Sequence, residues 1–183
     1  HGLAALALGD PTAKSMHRLS LNPLRHIDWL GLALMFVAGF GWAKPVPVNP
    51  SYFRKPKQGM AITALAGPIS NILLAVLFLE IGKVIYLYAP YSDGMNTFFD
   101  WCLFTVAPMS VGMGLFNLIP FPPLDGSKVL AVFLPDGAYM KLMHYERYGI
   151  LILLALSWLG LGGNALGNAI YGVYEALFHI FFA

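Results

Sequence analysis

The sequence predicts an all-α membrane protein, a multi-pass helical bundle with a small β element on its cytoplasmic side. Hydrophobic residues make up 58% of the 183 residues and charged residues only 11%, whereas about a quarter of an ordinary soluble domain is charged. Several apolar runs also approach or exceed the length of about 20 residues that a membrane-spanning helix needs. We therefore expect one transmembrane domain that covers residues 1–183.

The first 58 residues predict short elements rather than spanning helices. Residues 1–8 read as the last two turns of a helix, which ends at Gly9 and Asp10-Pro11 because Gly just past a helix and Pro soon after are typical stop signals. Residues 29–42 are apolar but too short to span, which favours a re-entrant or partly inserted segment. Residues 43–58 carry four prolines, which exclude a helix and predict an edge strand or extended hairpin.

The remaining residues predict longer helices separated by breaks. A tilted spanning helix fits residues 60–88, and a polar turn at 91–100 leads into a second spanning helix at 98–119. Three prolines, Pro120, Pro122 and Pro123, then break the chain. A third apolar run covers residues 148–161, and a final amphipathic or spanning helix covers residues 165–182.

The charge distribution predicts the orientation. Residues 14–57 hold seven Lys or Arg and a single acid, Asp28, whereas the 91–100 turn holds Asp93 and Asp100 and no Lys or Arg. Basic residues accumulate on the cytoplasmic side, so residues 12–58 are expected there. The net charge of +2 without a basic run argues against a nucleic-acid partner, and the single cysteine, Cys102, excludes a Cys-based zinc site.

Asp125 is the first candidate site residue. An ionisable group at membrane depth is costly and marks a functional candidate, and the prolines before it unwind the backbone, which a bilayer tolerates only beside protein or a water-filled cavity. A carboxylate there needs a cation. A surface carboxylate that caps the next helix at Ser127 is an equally compatible interpretation.

His1 is the second candidate. It lies about 12 Å below the cytoplasmic helix end at Gly9, at 1.5 Å per residue. A histidine at that depth is a plausible metal ligand, although a lone helical histidine is usually structural.

Five sequence blocks follow one another along nearly the whole chain: HG…GDPTA at 1–13, RLSLNPLRHID at 18–28, GWAKPVPVNP at 41–50, AGPISN at 66–71 and NLIPFPPLDG at 117–126. In this order they resemble the site-2 protease family of bacteria and archaea, whose members are intramembrane zinc metalloproteases. The resemblance implies Zn²⁺ as cofactor. It also implies an H-E-x-x-H motif on a transmembrane helix, where two His at i and i+4 bind zinc and the Glu is the general base.

By position in these motifs, His1 matches the second His and Asp125 matches the third zinc ligand, which leaves the fourth position for water. The first His and the Glu are expected before residue 1, so the chain is expected to be truncated within the motif and to contain no visible catalytic base. The resemblance further implies that Asn117 binds the substrate backbone or steadies the oxyanion; a helix-end polar group satisfied by nearby backbone is an equally compatible interpretation.

An extended segment formed by Lys44, Pro45, Val46, Pro47 and Val48 is a candidate substrate strand. An edge strand can capture an extended peptide by main-chain pairing, and a substrate helix has to unwind before cleavage because its carbonyls are hydrogen-bonded. A solvated cytoplasmic loop is the alternative. Gly67-Pro68 is expected to be a packing kink rather than a catalytic element.

These expectations combine into a zinc metalloprotease of the cell membrane. It would hydrolyse peptide bonds of membrane-spanning substrates, with the substrate helix and the lipid bilayer as partners and the active site toward the cytoplasm. Two alternatives stay open: a catalytically inactive family member that acts as a membrane adaptor, and an ion-coupled transporter fragment in which Asp125 coordinates an ion.

Overall fold

The structure is a computed structural model that describes residues 1–183 except Leu21, Phe40, Trp42, Tyr91, Leu161 and Ala183, and only the main chain of Ala38, Met143, Arg147 and Ser157. The described residues form helices and no β-strand. In chain order the α-helices are α1 (Gly2–Ala7), α2 (Thr12–Ser15), α3 (Trp29–Ala38), α4 (Pro56–Tyr88), α5 (Asp93–Trp101), α6 (Ala107–Leu118), α7 (Asp125–Leu130), α8 (Asp136–Trp158) and α9 (Gly163–Phe182).

Two of these helices are long and apolar enough to cross a membrane. One is α4, with 33 residues, and the other is the continuous helix Asp93–Leu118, with 26 residues. Only 28% and 33% of their most apolar windows are buried. A core helix of a soluble protein would bury most of such a surface, so lipid is the environment that suits these two helices.

The core lies where α4 packs against α6 and α9 covers the contact. Its fully buried side chains include Ala75 and Leu79 of α4 and Val111 of α6. A π-helical turn, Cys102–Val106, joins α5 to α6, and the hydroxyl of Tyr174 in α9 donates to the Leu103 carbonyl within it at 2.8 Å. This bond ties α9 to an irregular point of the helix Asp93–Leu118.

The proline-rich break lies between α6 and α7 and is covered by α8. The helix α6 ends at Leu118, and Asp125 begins α7 after the prolines. Gly149 of α8 touches this loop so closely that a Cβ atom on it would lie 2.0 Å from the Pro122 carbonyl oxygen. The approach of α8 to the loop therefore depends on a glycine.

Two buried charged side chains organise the region between α1 and α4. Asp10 is fully buried and accepts hydrogen bonds from the main chain and hydroxyl of Thr12 and from the main chain of Asn49. Burial raises the pKa of Asp10, but these hydrogen bonds outweigh it and hold the pKa below its usual value. Arg18 is also buried and donates to three main-chain carbonyls.

The predicted cytoplasmic β element is not formed by the described residues. Residues 43–49 belong to no helix and no strand, and Asn49 at their end has an extended backbone. Pro45 and Pro47 have no N–H to donate to a ladder, and the carbonyls of Lys44 and Pro45 are taken by Arg18. The predicted edge strand or extended hairpin is therefore not seen in the described part of the chain.

Other helix boundaries also differ from the expected ones. The predicted polar turn at 91–100 is largely helical, because Ser92 caps α5 by accepting from the Met95 N–H; Tyr91 lies outside the described residues. The third long helix begins at Asp136 instead of residue 148, and Leu161 is outside the described part. The short apolar helix α3 ends at Ala38 and is followed by Gly39 in the left-handed conformation; Phe40 and Trp42, at the end of the predicted 29–42 segment, lie outside the described residues.

Candidate metal centre

His1 and Asp125 meet although they lie far apart in the sequence. His1 Nε2 lies 3.2 Å from Asp125 Oδ2. His1 is the N-cap of α1 and Asp125 is the first residue of α7, and both short helices pack against α4. The long helix is therefore the platform that brings the two side chains together.

The orientation of the His1 ring is fixed by α4. Its Nδ1 lies 2.8 Å from the carbonyl oxygen of Thr63. Because a carbonyl can only accept, Nδ1 carries the proton in this bond. Nε2 then faces Asp125, which is the arrangement of a metal-binding histidine whose other nitrogen donates to a main-chain carbonyl.

The donor atoms fit a shared cation. A neutral His1 with its proton on Nδ1 presents a lone pair to the carboxylate, and two acceptors at 3.2 Å repel unless a proton or cation lies between them. Tetrahedral zinc, with bonds of about 2.0 to 2.1 Å, keeps its nitrogen and oxygen ligands about 3.3 to 3.4 Å apart. The chemistry and the spacing of this pair therefore both suit zinc.

The pair accounts for part of a zinc coordination shell. Within the described residues, no group of three or more His, Cys, Asp or Glu could hold a metal ion, and a catalytic zinc has three protein ligands. The side chains of His1 and Asp125 are 31% and 16% exposed, so the pair is accessible from outside.

Gly67 lies directly against the pair. The prediction of a packing kink at Gly67-Pro68 did not include this contact. A Cβ atom on Gly67 would lie 2.3 Å from Cε1 and Nε2 of His1 and 3.3 Å from Oδ2 of Asp125. Only glycine leaves room for the imidazole at this point of α4. The signal in the sequence was a glycine inside an apolar helix, where close approach by another group is a common reason.

Two further groups support the site and were not expected from the sequence. Thr63 supplies the carbonyl that orients His1, and its buried hydroxyl has no hydrogen-bond partner among the described residues. Lys128, one turn after Asp125 in α7, lies 3.6 Å from Glu146 of α8. This ion pair links the helix that carries Asp125 to α8.

Asn117 lies in the last turn of α6, half-buried, and its side chain makes no hydrogen bond to a described residue. Gly114, one turn earlier, packs against α4, where a Cβ atom would lie 3.2 Å from the Pro68 carbonyl oxygen. Residues three apart share a helix face. Asn117 therefore lies on the side of α6 that faces α4, near the level of Gly67.

The segment 44–48 passes beside the helix that follows His1. A Cβ atom on Gly2 would lie 3.4 Å from Cγ1 of Val46. Lys44 donates its main-chain N–H to the His26 carbonyl at 2.9 Å, while the N–H groups of Val46 and Val48 find no partner in the part of the chain that is described. The segment is thus close to His1 and has main-chain donors to offer.

Comparison with known proteins identifies relatives of this chain. YwhC of Bacillus subtilis, whose provisional name is zinc metalloprotease, is 36% identical over 190 residues, which cover 97% of this chain and 85% of YwhC. Rip2 of Mycolicibacterium smegmatis, provisionally named in the same way, is 27% identical over 85% of this chain and 60% of its own length. MJ0611 of Methanocaldococcus jannaschii, also provisionally a zinc metalloprotease, is 29% identical over 55% of this chain and 49% of its own length.

No family model matches the chain, and no solved structure matches it. The relationship to YwhC nevertheless extends over almost the entire sequence. The names of the relatives specify zinc, the metal that suits His1 and Asp125. The chain therefore belongs to the site-2 protease-like family of zinc metalloproteases that includes YwhC.

Proposed function

We propose that this protein is an intramembrane zinc metalloprotease that cleaves membrane-spanning substrates. The observation that carries the proposal is the 3.2 Å separation of His1 Nε2 and Asp125 Oδ2. Zn²⁺ held by these two residues would supply the Lewis acidity that activates water and polarises a peptide carbonyl. The proposal requires a further His and a Glu in the helical turn before His1, as in H-E-x-x-H.

The depth of the pair supports cleavage within the bilayer of the cell membrane. Gly67 contacts His1 and lies eleven residues after Pro56, where α4 begins, or about 16 Å along the helix axis at 1.5 Å per residue. The helix α4 begins next to the basic residues 54–57, which favour the cytoplasm. The active site would therefore open toward the cytoplasmic side of a multi-pass protein.

The segment 44–48 would bind the substrate after its helix has unwound. Its irregular backbone and the N–H groups of Val46 and Val48, which have no partner among the described residues, support main-chain pairing with an extended peptide. The contact between Val46 and Gly2 keeps the segment beside His1. A bound substrate strand would therefore pass close to the metal.

Asn117 would donate its side-chain amide to the substrate main chain or to the oxyanion that develops at the cleaved carbonyl. Its half-buried position and its place on the α4-facing side of α6 support this role. An amide that already made hydrogen bonds to neighbouring backbone would be less available.

The test uses the full-length protein, purified with zinc, and a single-span membrane substrate. We expect about one zinc per protein, cleavage that stops on chelation and resumes when zinc is restored, and loss of both zinc and cleavage in Asp125→Asn. Zinc without cleavage would instead indicate the inactive adaptor, and a protein without zinc would favour the transporter. Glu175→Gln is the control, because this carboxylate lies on α9, where it pairs with His179 of the same helix.

A further inference from the structure

Arg18 is a buried cation that contacts main-chain carbonyls instead of a carboxylate. Its side chain is 7% exposed, and none of the ion pairs among the described residues includes it. Nη1 donates to the Arg25 carbonyl, and Nη2 donates to those of Lys44 and Pro45 at 2.6 and 3.1 Å. Burial of a charge is costly unless hydrogen bonds compensate for it. The three carbonyls provide this compensation for Arg18, and Arg18 in turn holds them in place.

Two of the three carbonyls belong to the start of the segment 44–48. Its other end is held by Asp10, which accepts from the Asn49 N–H at 2.8 Å. Between these anchors, Pro45 and Pro47 cannot donate to a neighbouring strand. The buried side chains of Arg18 and Asp10 therefore fix the two ends of this segment, as pairing with a neighbouring strand fixes an ordinary edge strand.

We propose that Arg18 is a positioning residue that sets the place of the segment 44–48 relative to His1. This inference rests on the proposed function, in which the segment binds the substrate main chain. The Val46 side chain packs beside Gly2, the residue next to His1. A shift of the segment would therefore move the bound peptide along or away from the metal centre.

The chemistry of arginine suits this task. A planar guanidinium presents several donors in a rigid fork, whereas the lysine ammonium is a compact point charge on a flexible stem. Arg18 uses both terminal nitrogens to join the Arg25 carbonyl to those of Lys44 and Pro45. Lysine at this position keeps the charge but cannot hold the two parts of the loop in one geometry.

The kinetic test compares Arg18→Gln and Arg18→Lys in the full-length zinc protein. We expect KM for a single-span substrate to rise about tenfold in Arg18→Gln, the equivalent of about one hydrogen bond to a charged group, and Arg18→Lys to recover only part of this loss. Zinc content should stay at the wild-type value. Lys14→Gln removes the same charge from an exposed side chain of α2 and should leave KM unchanged.

A crosslinking experiment separates positioning from simple loss of stability. Val48→Cys is introduced into an Asp125→Asn, Cys102→Ala protein, which should not cleave, and paired with substrates that carry single cysteines at successive positions. With Arg18 present, crosslinks should concentrate at one or two substrate positions. In Arg18→Gln they should spread over several positions or vanish.

The outcomes separate the positioning role of Arg18 from the substrate-binding role of the segment 44–48. An unchanged crosslinking pattern in Arg18→Gln would overturn the positioning role while leaving the substrate-binding role of the segment intact. Absence of crosslinks even with Arg18 present would overturn the role of the segment itself, and with it the inference. An equal rise of KM in Lys14→Gln would assign the effect to the charge of the loop rather than to the contacts of Arg18.

Discussion

Gly67 lies directly against the imidazole of His1, so that a Cβ atom at this position would be 2.3 Å from Nε2. The same atom would lie 3.3 Å from Asp125 Oδ2. Because Gly67 carries a hydrogen where other residues carry a Cβ atom, α4 leaves room for the two candidate ligands to meet. The geometry of the pair depends on a residue that has no functional group of its own.

We expect Gly67→Ala to reduce cleavage about 100-fold, because the added methyl group has to displace His1, and a misplacement of about 1 Å costs that much in catalysis. Zinc content measured on the purified variant should fall as well. Gly172→Ala is the control, since a Cβ atom there would meet nothing within 4 Å. Wild-type activity and zinc content in Gly67→Ala would contradict this arrangement.

Asp10 should make stability depend on pH in the acid range. Its pKa is lowered in the folded state, so its contribution is complete above the unfolded pKa of about 3.9 and is lost as the pH falls through the lower folded value. We expect Asp10→Asn to cost about 1–3 kcal/mol near neutral pH and to flatten this acid dependence. Thermal unfolding in detergent at several pH values measures both effects.

The control for Asp10 is Asp93→Asn, which neutralises an exposed carboxylate in the first turn of α5. It should leave the acid dependence of unfolding as it is in the wild type. An equal change in both variants would mean that net charge, rather than the buried hydrogen bonds of Asp10, sets the pH profile.

The bond from Tyr174 to the π-helical turn should stabilise the bundle. Tyr174→Phe removes the hydroxyl that donates to Leu103 and leaves a carbonyl without this partner, at a cost of about 1 kcal/mol. For a chain of this size that corresponds to a decrease of about 2–4 °C in Tm. Tyr171→Phe, at a 64% exposed position of the same helix, should change Tm by less than half as much.

Main-chain capture by the segment 44–48 predicts a specific effect of proline. Val48→Pro removes an N–H that has no partner among the described residues, and because residues 43–49 belong to no helix or strand, no secondary-structure hydrogen bond is lost. We expect KM for a single-span substrate to rise about 3- to 10-fold, the equivalent of one neutral hydrogen bond. Val48→Ala keeps the N–H and should leave KM within about twofold of the wild type; equal effects of both would point to the side chain instead.

Composition and local signals predicted much of the fold. The long apolar runs became α4 and the helix Asp93–Leu118, and the proline-rich residues 43–49 form no helix. Helix ends were harder to predict, because they depend on caps. Ser92 caps α5 inside a stretch that is polar enough to resemble a turn.

The candidate site was predictable only in part. His1 and Asp125 were identified from depth, from the broken helix and from motif resemblance, but sequence could not establish that their atoms lie 3.2 Å apart. The supporting residues Gly67 and Thr63 were missed for a physical reason. Gly67 acts because it has no Cβ atom, and Thr63 acts through its main-chain carbonyl. Neither feature is visible as a functional side chain in the sequence.

The sequence by itself determined that this chain is apolar and helical, and which side chains can bind a metal. The tertiary structure decided which of them meet, how the imidazole is turned, and that buried Asp10 and Arg18, rather than a neighbouring strand, hold the segment 44–48. Hydrophobicity and backbone chemistry are properties of each residue and its neighbours. The short distance between His1 and Asp125, which are far apart in the sequence, arises only when α1 and α7 pack on α4.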